Sequence, residues 1–238
     1  MTQQNGTPIV ELEAVTKLYH QGALEVPALR ELTLAVEKGE FTAICGPSGS
    51  GKTTMLNLIG ALDTPTSGRI LLEGRDLGPL SRRELSHLRR DRIGFVFQAY
   101  NLMPVLTAYE NAETVLALQG VDESERRERV MELLADVGLE GMEHRRPDEL
   151  SGGQQQRVPI ARAIASNPAV VLADEPTANV DSETADRLLD IMERLNQDRQ
   201  VTFIFSTHDP RVMNRAGRVV RVVDGRVEQD EARSGPDD

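Results

Sequence analysis

Near the start of the chain apolar and polar positions alternate: Val10, Leu12 and Ala14 are spaced by Glu11 and Glu13. A period of two predicts a half-buried strand over Ile9 to Val15. Leu32, Leu34 and Val36 repeat the pattern over Leu29 to Val36, and the polar, turn-rich stretch His20 to Pro27 is expected to be a loop between the two. After the turn at Lys38-Gly39-Glu40 the pattern changes, because Phe41 to Cys45 is a short run of strand type with scarcely a polar residue. Such runs mark strands covered on both faces. Similar runs recur over Ile93 to Phe97, Val170 to Ala173 and Val201 to Ser206, and Gly68 to Leu72 reads as a further short strand. Half-polar strands beside apolar ones predict an antiparallel side layer against a mostly parallel core.

Helical periodicity fills the remaining chain. Thr54 to Ile59 follows one strand, and Leu80 to Arg92 is helical and locally basic, with Arg82, Arg83, Arg89, Arg90 and Arg92 read as a solvated face. Between Ala99 and Leu150 the character is helical throughout, with Val130, Leu133, Leu134 and Val137 at i, i+3, i+4, i+7 beneath an Asp/Glu/Arg-rich start. Ala185, Leu188, Leu189 and Met192 form another apolar face, and Arg218 to Val223 with Val227 predicts a closing hairpin around Asp224-Gly225. The expected organisation is α/β: one domain over about 1–228, with its core at about 1–98 and 158–228 and an inserted helical subdomain at about 99–157. The acidic tail, 229–238, is expected to be disordered.

Composition narrows the picture. Aromatics are 3% and tryptophan is absent, so the core is expected to rest on Leu, Val, Ile and Ala. A net charge of -11 argues against a partner held by nucleic-acid electrostatics. The single Cys45 allows no intrachain disulfide and reads as a small buried filler, in keeping with a reducing cytoplasm. Met1 to Gly6 lacks the basic and apolar regions of a signal peptide, and no apolar run approaches the ~18 residues of a membrane span. Any membrane role is expected to come through a partner.

The chemistry centres on Gly46-Pro47-Ser48-Gly49-Ser50-Gly51-Lys52-Thr53, which fits the phosphate-binding pattern G-x-x-x-x-G-K-[ST] between a strand and a helix. Its glycines free successive N–H groups to converge on phosphate oxygens, and the helix beginning there adds bare N–H groups and positive charge. Lys52 would reach the β/γ-phosphates and the Thr53 hydroxyl a Mg²⁺ ion. Asp174 and Glu175 follow the apolar run Val170 to Ala173, at the strand end where α/β sheets place ligands. Two buried carboxylates would be costly without a cation, so Asp174 is expected to hold Mg²⁺ and Glu175 to polarise the attacking water. Leu150-Ser151-Gly152-Gly153-Gln154 opens a helix with the S-x-x-Q form of a capping box, and its glycine pair makes a bare anion site. Ser206-Thr207-His208-Asp209 ends a strand, with His208 placed for a γ-phosphate contact.

Together these motifs resemble the ATP-binding cassette (ABC) ATPases over almost the whole chain, from about Ile9 to Glu228. The resemblance implies a P-loop NTPase fold with a RecA-like core sheet, and ATP and Mg²⁺ as ligands. In that family's terms Gly46 to Thr53 (with Thr54) looks like Walker A, Asp174 and Glu175 like the end of Walker B, and Leu150 to Gln154 like the signature. Gln98 resembles the Q-loop glutamine, Ala178-Asn179-Val180-Asp181 the D-loop, His208 the switch histidine, and Tyr19 the aromatic that stacks on adenine. Catalysis would rest on Glu175, His208, Lys52 and Gln98, with Thr53, Gln98 and Asp174 at the metal. Ile93-Gly94-Phe95-Val96-Phe97-Gln98, Asn101-Leu102-Met103-Pro104, Glu110-Asn111 and Gln154-Gln155-Gln156-Arg157 are similar to the MacB/LolD-like branch. That branch implies two copies clasping ATP, an FtsX/MacB/LolC-like transmembrane permease as partner, no nucleic acid, and a place on the cytoplasmic face of the inner membrane. Lipoprotein release, export of a macrolide or peptide, or division-linked signalling would follow. The rivals are another ABC exporter or importer, or a soluble ABC ATPase acting on ribosomes or DNA, which the single cassette and acidic balance oppose. Pro159 departs from the family pattern, since a small residue is usual there; inside a helix begun at Ser151 it would cost on the order of 3 kcal/mol.

Overall fold

The computed structural model describes residues 8–22 and 24–233. Strands β1 (Val10–Gln21) and β2 (Leu24–Val36) form a long antiparallel hairpin, paired from Val10 with Val36 to Gln21 with Leu24. The loop expected over His20 to Pro27 is thus mostly strand. Residues 24–26 are exposed there, so ladder hydrogen bonds hold the strands where burial does not, and a reading based on apolar pattern cannot see them. After β3 (Phe41–Cys45) and helix α1 (Lys52–Ile59), β4 (Ser67–Leu72) returns antiparallel to β1, and the short β5 (Arg75–Asp76) completes a sheet ordered β2-β1-β4-β5.

Helix α2 (Arg82–Arg92) starts at a capping box between Ser81 and Glu84. Arg82 and Arg83 are exposed, whereas Arg89, Arg90 and Arg92 are half-buried and bonded to the Ala61 carbonyl, Asp91 and Glu73. The basic face is therefore solvated only at its start. Strand β6 (Ile93–Phe97) leads into α3 (Ala108–Gln119) and α4 (Glu123–Asp136), and α5 (Gly152–Ala165) returns to the core. Then come β7 (Val170–Asp174), α6 (Ser182–Arg199), β8 (Phe203–Ser206), α7 (Pro210–Arg215), β9 (Arg218–Val223) and β10 (Arg226–Ala232).

The core sheet runs β10-β9-β3-β8-β7-β6, parallel except for β10. Both faces of its central strands β3, β8 and β7 are buried, and the period of two shows how. Val170 and Leu172 of β7 and Ile204 of β8 pack toward α1 and the antiparallel sheet. Val171, Ala173, Phe203 and Phe205 pack toward α3 to α6. The second face is not purely aliphatic: Phe41 lies 4.5 Å from Phe205 and 5.7 Å from Phe203 between ring centroids. Val130, Leu133, Leu134 and Val137 are all buried, as their spacing predicts.

Two expectations change. The acidic stretch from Gln229 is ordered through β10, where Gln229 pairs with Arg221 and Ala232 with Arg218. Arg218 meets Asp230 at 2.8 Å, so this acid gains a cation that a linear reading does not place beside it. Residues 234–238, like the Met1 to Gly6 stretch, lie outside the described residues. Cys45 is half-buried rather than buried.

Pro159 is buried in the interior of α5, which nonetheless continues from Gly152 to Ala165. The ring supplies no N–H to the Gln155 carbonyl one turn earlier. Restoring that donor with Pro159→Ala should offset the packing it loses and raise stability by about 1–2 kcal/mol in denaturant titration. Turnover equal to that of the natural chain would show that the proline does not steer the helix start; altered turnover would show that it does.

Candidate functional site

The register of the core sheet sets the site. Ile44 of β3 and Asp174 of β7 both pair with Ser206 of β8, and Phe97 of β6 pairs with Asp174. Four strands therefore end level, and the segments leaving them share one edge. Between them opens a cleft of about 640 Å³ whose walls include the whole loop Gly46 to Thr54, Gln98, Glu175, Ser206 and His208.

The loop is shaped by backbone that only glycine accommodates. At Gly46 (φ +149°) a Cβ would stand 2.0 Å from the Val222 carbonyl oxygen, and at Gly51 (φ +103°) 2.4 Å from that of Ala28. Gly51 also begins α1 with no side-chain cap, so the helix's first N–H groups face the cleft unsatisfied. The Lys52 ammonium donates to the carbonyls of Gly46 at 2.8 Å and Pro47 at 3.0 Å. Ser50 Oγ and Ser206 Oγ are buried with no hydrogen-bond partner within the described residues. Unpaired donors around a glycine cradle are the complement of a polyphosphate.

Across the cleft, Thr53 Oγ1 lies 3.4 Å from Asp174 Oδ1. A hydroxyl and one carboxylate fit Mg²⁺, which takes few protein oxygens and completes its octahedron with phosphate and water. Glu175 adopts a left-handed backbone (φ +47°), its N–H donating to the Ser206 carbonyl at 2.9 Å. Strain of this kind aims a side chain and persists only where neighbours enforce it. Here His208 Nδ1 stands 2.7 Å from Glu175 Oε1, and Thr207 Oγ1 donates to Oε2 at 3.3 Å.

Tyr19 does not line the cleft. It stands on the hairpin whose Ala28 does, with its hydroxyl donating to Asp63 Oδ2 at 2.9 Å. Burial pushes its phenol pKa up.

Ser151, Gly152, Gly153, Gln154 and Asp181 are elsewhere. They line a second depression of about 550 Å³ with Asn179, Val180 and Thr184, sharing no residue with the first. Ser151 Oγ accepts from the Gln154 N–H at 3.3 Å while Gln154 Oε1 accepts from the Ser151 N–H at 2.9 Å, the capping box that the spacing predicts. A Cβ on Gly153 would meet Thr184 Cγ2 at 2.7 Å, so the starts of α5 and α6 pack closely. Asp181 caps α6, and hydrogen bonds from the Thr184 N–H and hydroxyl hold its carboxyl below the ordinary range.

The motifs named Asn179 and Gln156 but not the bonds that these two residues make. Asn179 Nδ2 donates to the Gln98 carbonyl at 2.9 Å, and the buried Gln156 amide donates to the Pro176 carbonyl. Both tie the second depression to the first. A buried glutamine in a Gln-Gln-Gln run carries no signal that separates it from its half-buried neighbours.

A family model described as ABC transporter matches residues 29–178. The chain belongs to the ABC transporter family. It is 46% identical over 231 residues to the lipoprotein-releasing system ATP-binding protein LolD of Anaeromyxobacter dehalogenans, covering 97% of each chain. It is 44% identical over 229 residues to the macrolide export ATP-binding/permease protein MacB of Syntrophobacter fumaroxidans, of which it spans 32%. A dimeric, post-hydrolysis structure of the ATP-binding cassette MJ0796, a Methanocaldococcus jannaschii protein, bound to ADP and Pi, superposes with a TM-score of 0.86. The two are 44% identical, over 95% of this chain and all of that one. This ABC cassette is an ATP-binding ATPase with the P-loop NTPase fold, and its relatives are of the MacB/LolD type.

The loop geometry separates two glycines. Gly46→Ala should abolish ATP binding in isothermal titration, because its Cβ overlaps the Val222 carbonyl. Gly49→Ala meets nothing within 4 Å and should weaken binding only by the strain of φ +78°, about 1 kcal/mol. Equal losses at both positions would contradict this account of the loop.

Proposed function

We propose that the chain is the ATP-hydrolysing subunit of an ABC transporter that closes head to tail on a second copy around ATP and Mg²⁺ and drives an FtsX-like membrane partner. The observation that carries this reading is the separation of the two depressions: one chain holds a complete phosphate cradle and a separate glycine-rich helix start, facing different spaces. Neither alone encloses a nucleotide. Two copies in antiparallel arrangement would set Ser151 to Gln154 and Asp181 of each against the γ-phosphate held by the other, giving two sites.

Within each site Lys52 would leave the Gly46 and Pro47 carbonyls to meet the β/γ-phosphates, and the α1 N–H groups would bind the remaining oxygens. Bound Mg²⁺ would be held by Thr53, Asp174 and Gln98 and would neutralise charge on the β- and γ-phosphates. Glu175 would orient the attacking water and take its proton. His208, already bonded to Oε1, would steady the γ-phosphate and fix the carboxylate's direction. Tyr19 would stack on the adenine.

Gln98 ends β6, where the chain passes into the helical stretch of about 99–157, and the Asn179 bond ties it to the second depression. Closure around ATP would move that stretch, whose surface would grip a cytoplasmic helix of the permease. Among the described residues no helix is long and apolar enough to cross a membrane, so membrane work on this reading requires that partner. Kinship with MacB and LolD proteins supports lipoprotein release or export from the inner membrane as the work done.

Glu175→Gln should reduce turnover by about 10²- to 10⁴-fold while leaving an ATP-bound dimer visible by light scattering. Wild-type hydrolysis, or a monomer at saturating ATP, would sink the assignment. The same variant, purified from detergent-solubilised membranes with ATP, should carry an FtsX-like permease identifiable by mass spectrometry. Recovery of ribosomes or DNA-repair proteins instead would favour a soluble ABC ATPase.

A further inference from the structure

Outside the two depressions, one cluster joins charge to an exposed aromatic. Lys17 and Tyr19 are two residues apart on β1 and share a face, with the Lys17 ammonium 5.0 Å from the centre of the Tyr19 ring. That ammonium donates to Asp63 Oδ1 at 2.7 Å and to the Thr64 carbonyl at 2.8 Å. Asp63 Oδ2 accepts the Tyr19 hydroxyl, and Oδ1 also accepts the Thr64 N–H at 2.7 Å. The Lys17 side chain is only 12% exposed, so the pair is shielded from the screening that weakens surface ion pairs. Tyr19 itself remains 37% exposed.

The surroundings suit a flat apolar ligand. Val26 pairs directly with Tyr19 across the hairpin, and Leu24 lies two residues on along the same face. Both are exposed, at 40% and 71%. Among the described residues, the other large exposed apolar side chains are Leu62, next to Asp63 in the chain, and Met103, Val105 and Leu118 in the helical insertion. The hairpin also reaches the phosphate cleft, because Ala28 of β2 forms part of its wall. A platform beside a triphosphate cradle is where a nucleobase would lie.

We propose that Lys17 and Asp63 form a positioning pair that pre-orders the Tyr19 ring to receive the purine base of ATP, with Val26 and Leu24 extending the platform. The proposal rests on the reading of Tyr19 as the base-stacking residue. Asp63 fixes the ring's direction through the hydroxyl, and the Lys17 ammonium covers one face, leaving the other for the base. Drawing electron density toward that ammonium also favours stacking against an electron-rich purine. A ring held in place before binding avoids the ordering cost that a free side chain would incur on the nucleotide's arrival. Neither Lys17 nor Asp63 need touch the nucleotide.

Isothermal titration with ATP and with inorganic tripolyphosphate separates the possibilities, since tripolyphosphate has no base. Lys17→Met, Asp63→Asn and Tyr19→Phe should each raise the Kd for ATP about three- to ten-fold and leave that for tripolyphosphate unchanged. Steady-state assays should show the matching rise in KM with kcat retained. Equal weakening of both ligands would mean the cluster acts through the phosphate loop, and would overturn the proposal. Weaker ATP binding in Tyr19→Ala, but not in the three other variants, would overturn the positioning pair while preserving the stacking reading. An unaffected Tyr19→Ala would remove the stacking reading itself, and this proposal with it.

Discussion

The level ending of four parallel strands is the constraint on which the site depends. Parallel hydrogen bonding between β3, β8, β7 and β6 holds Ile44, Ser206, Asp174 and Phe97 in register. The phosphate loop, Glu175, His208 and Gln98 each lie within two residues of one of those ends. A slip of one residue in any pairing would turn that strand's side chains to the opposite faces and carry its site residue away from the others. Apolar burial on both sides makes such a slip costly, because Phe203 and Phe205 face one core while Ile204 faces the other. The packing that stabilises the sheet is therefore the same packing that aligns the chemistry.

Electrostatics at that edge favour an anion. The chain carries a net charge of -11, yet the cleft presents Lys52, the bare start of α1 and two buried serine hydroxyls lacking partners among the described residues. The acids stand on the other side, where Asp174 faces Thr53 and Glu175 is held by His208 and Thr207. Anion-binding groups and carboxylates thus confront each other across a gap suited to a metal-bound phosphate chain. The strained backbone at Glu175 fits this picture, since its N–H is tied to Ser206 on the neighbouring strand and the side chain is left to aim at the cleft.

On the proposed head-to-tail pairing, the second depression is the half-site that one chain would offer to the other. The starts of α5 and α6 pack at Gly153 and Thr184, so Gly152, Gly153 and Asp181 form one surface. Gln156 and Asn179 connect that surface to Pro176 and Gln98. A change at the phosphate cleft thereby has a bonded route to the helix start that, in a head-to-tail pair, would face the partner's nucleotide.

By itself the sequence determined the strand and helix order, the phosphate loop, the paired acids and the capped glycine helix, because each depends on local periodicity or on a short run of fixed residue types. The amphipathic face of Val130 to Val137 and the hairpin at Asp224-Gly225 were legible for the same reason. Where pairing partners are distant the reading ran short. The strand course of His20 to Pro27 and the order of Gln229 to Ala232 depend on ladders with a neighbouring strand, and in the latter also on Arg218 opposite Asp230. The tertiary structure alone decided which motifs meet. Gln98, Glu175 and His208 converge on the loop, while Ser151 to Gln154 and Asp181 turn to another surface. It also bound Tyr19 to Lys17 and Asp63, one a near neighbour and the other 44 residues away. Such meetings follow from sheet order and register, which no local window of residues encodes.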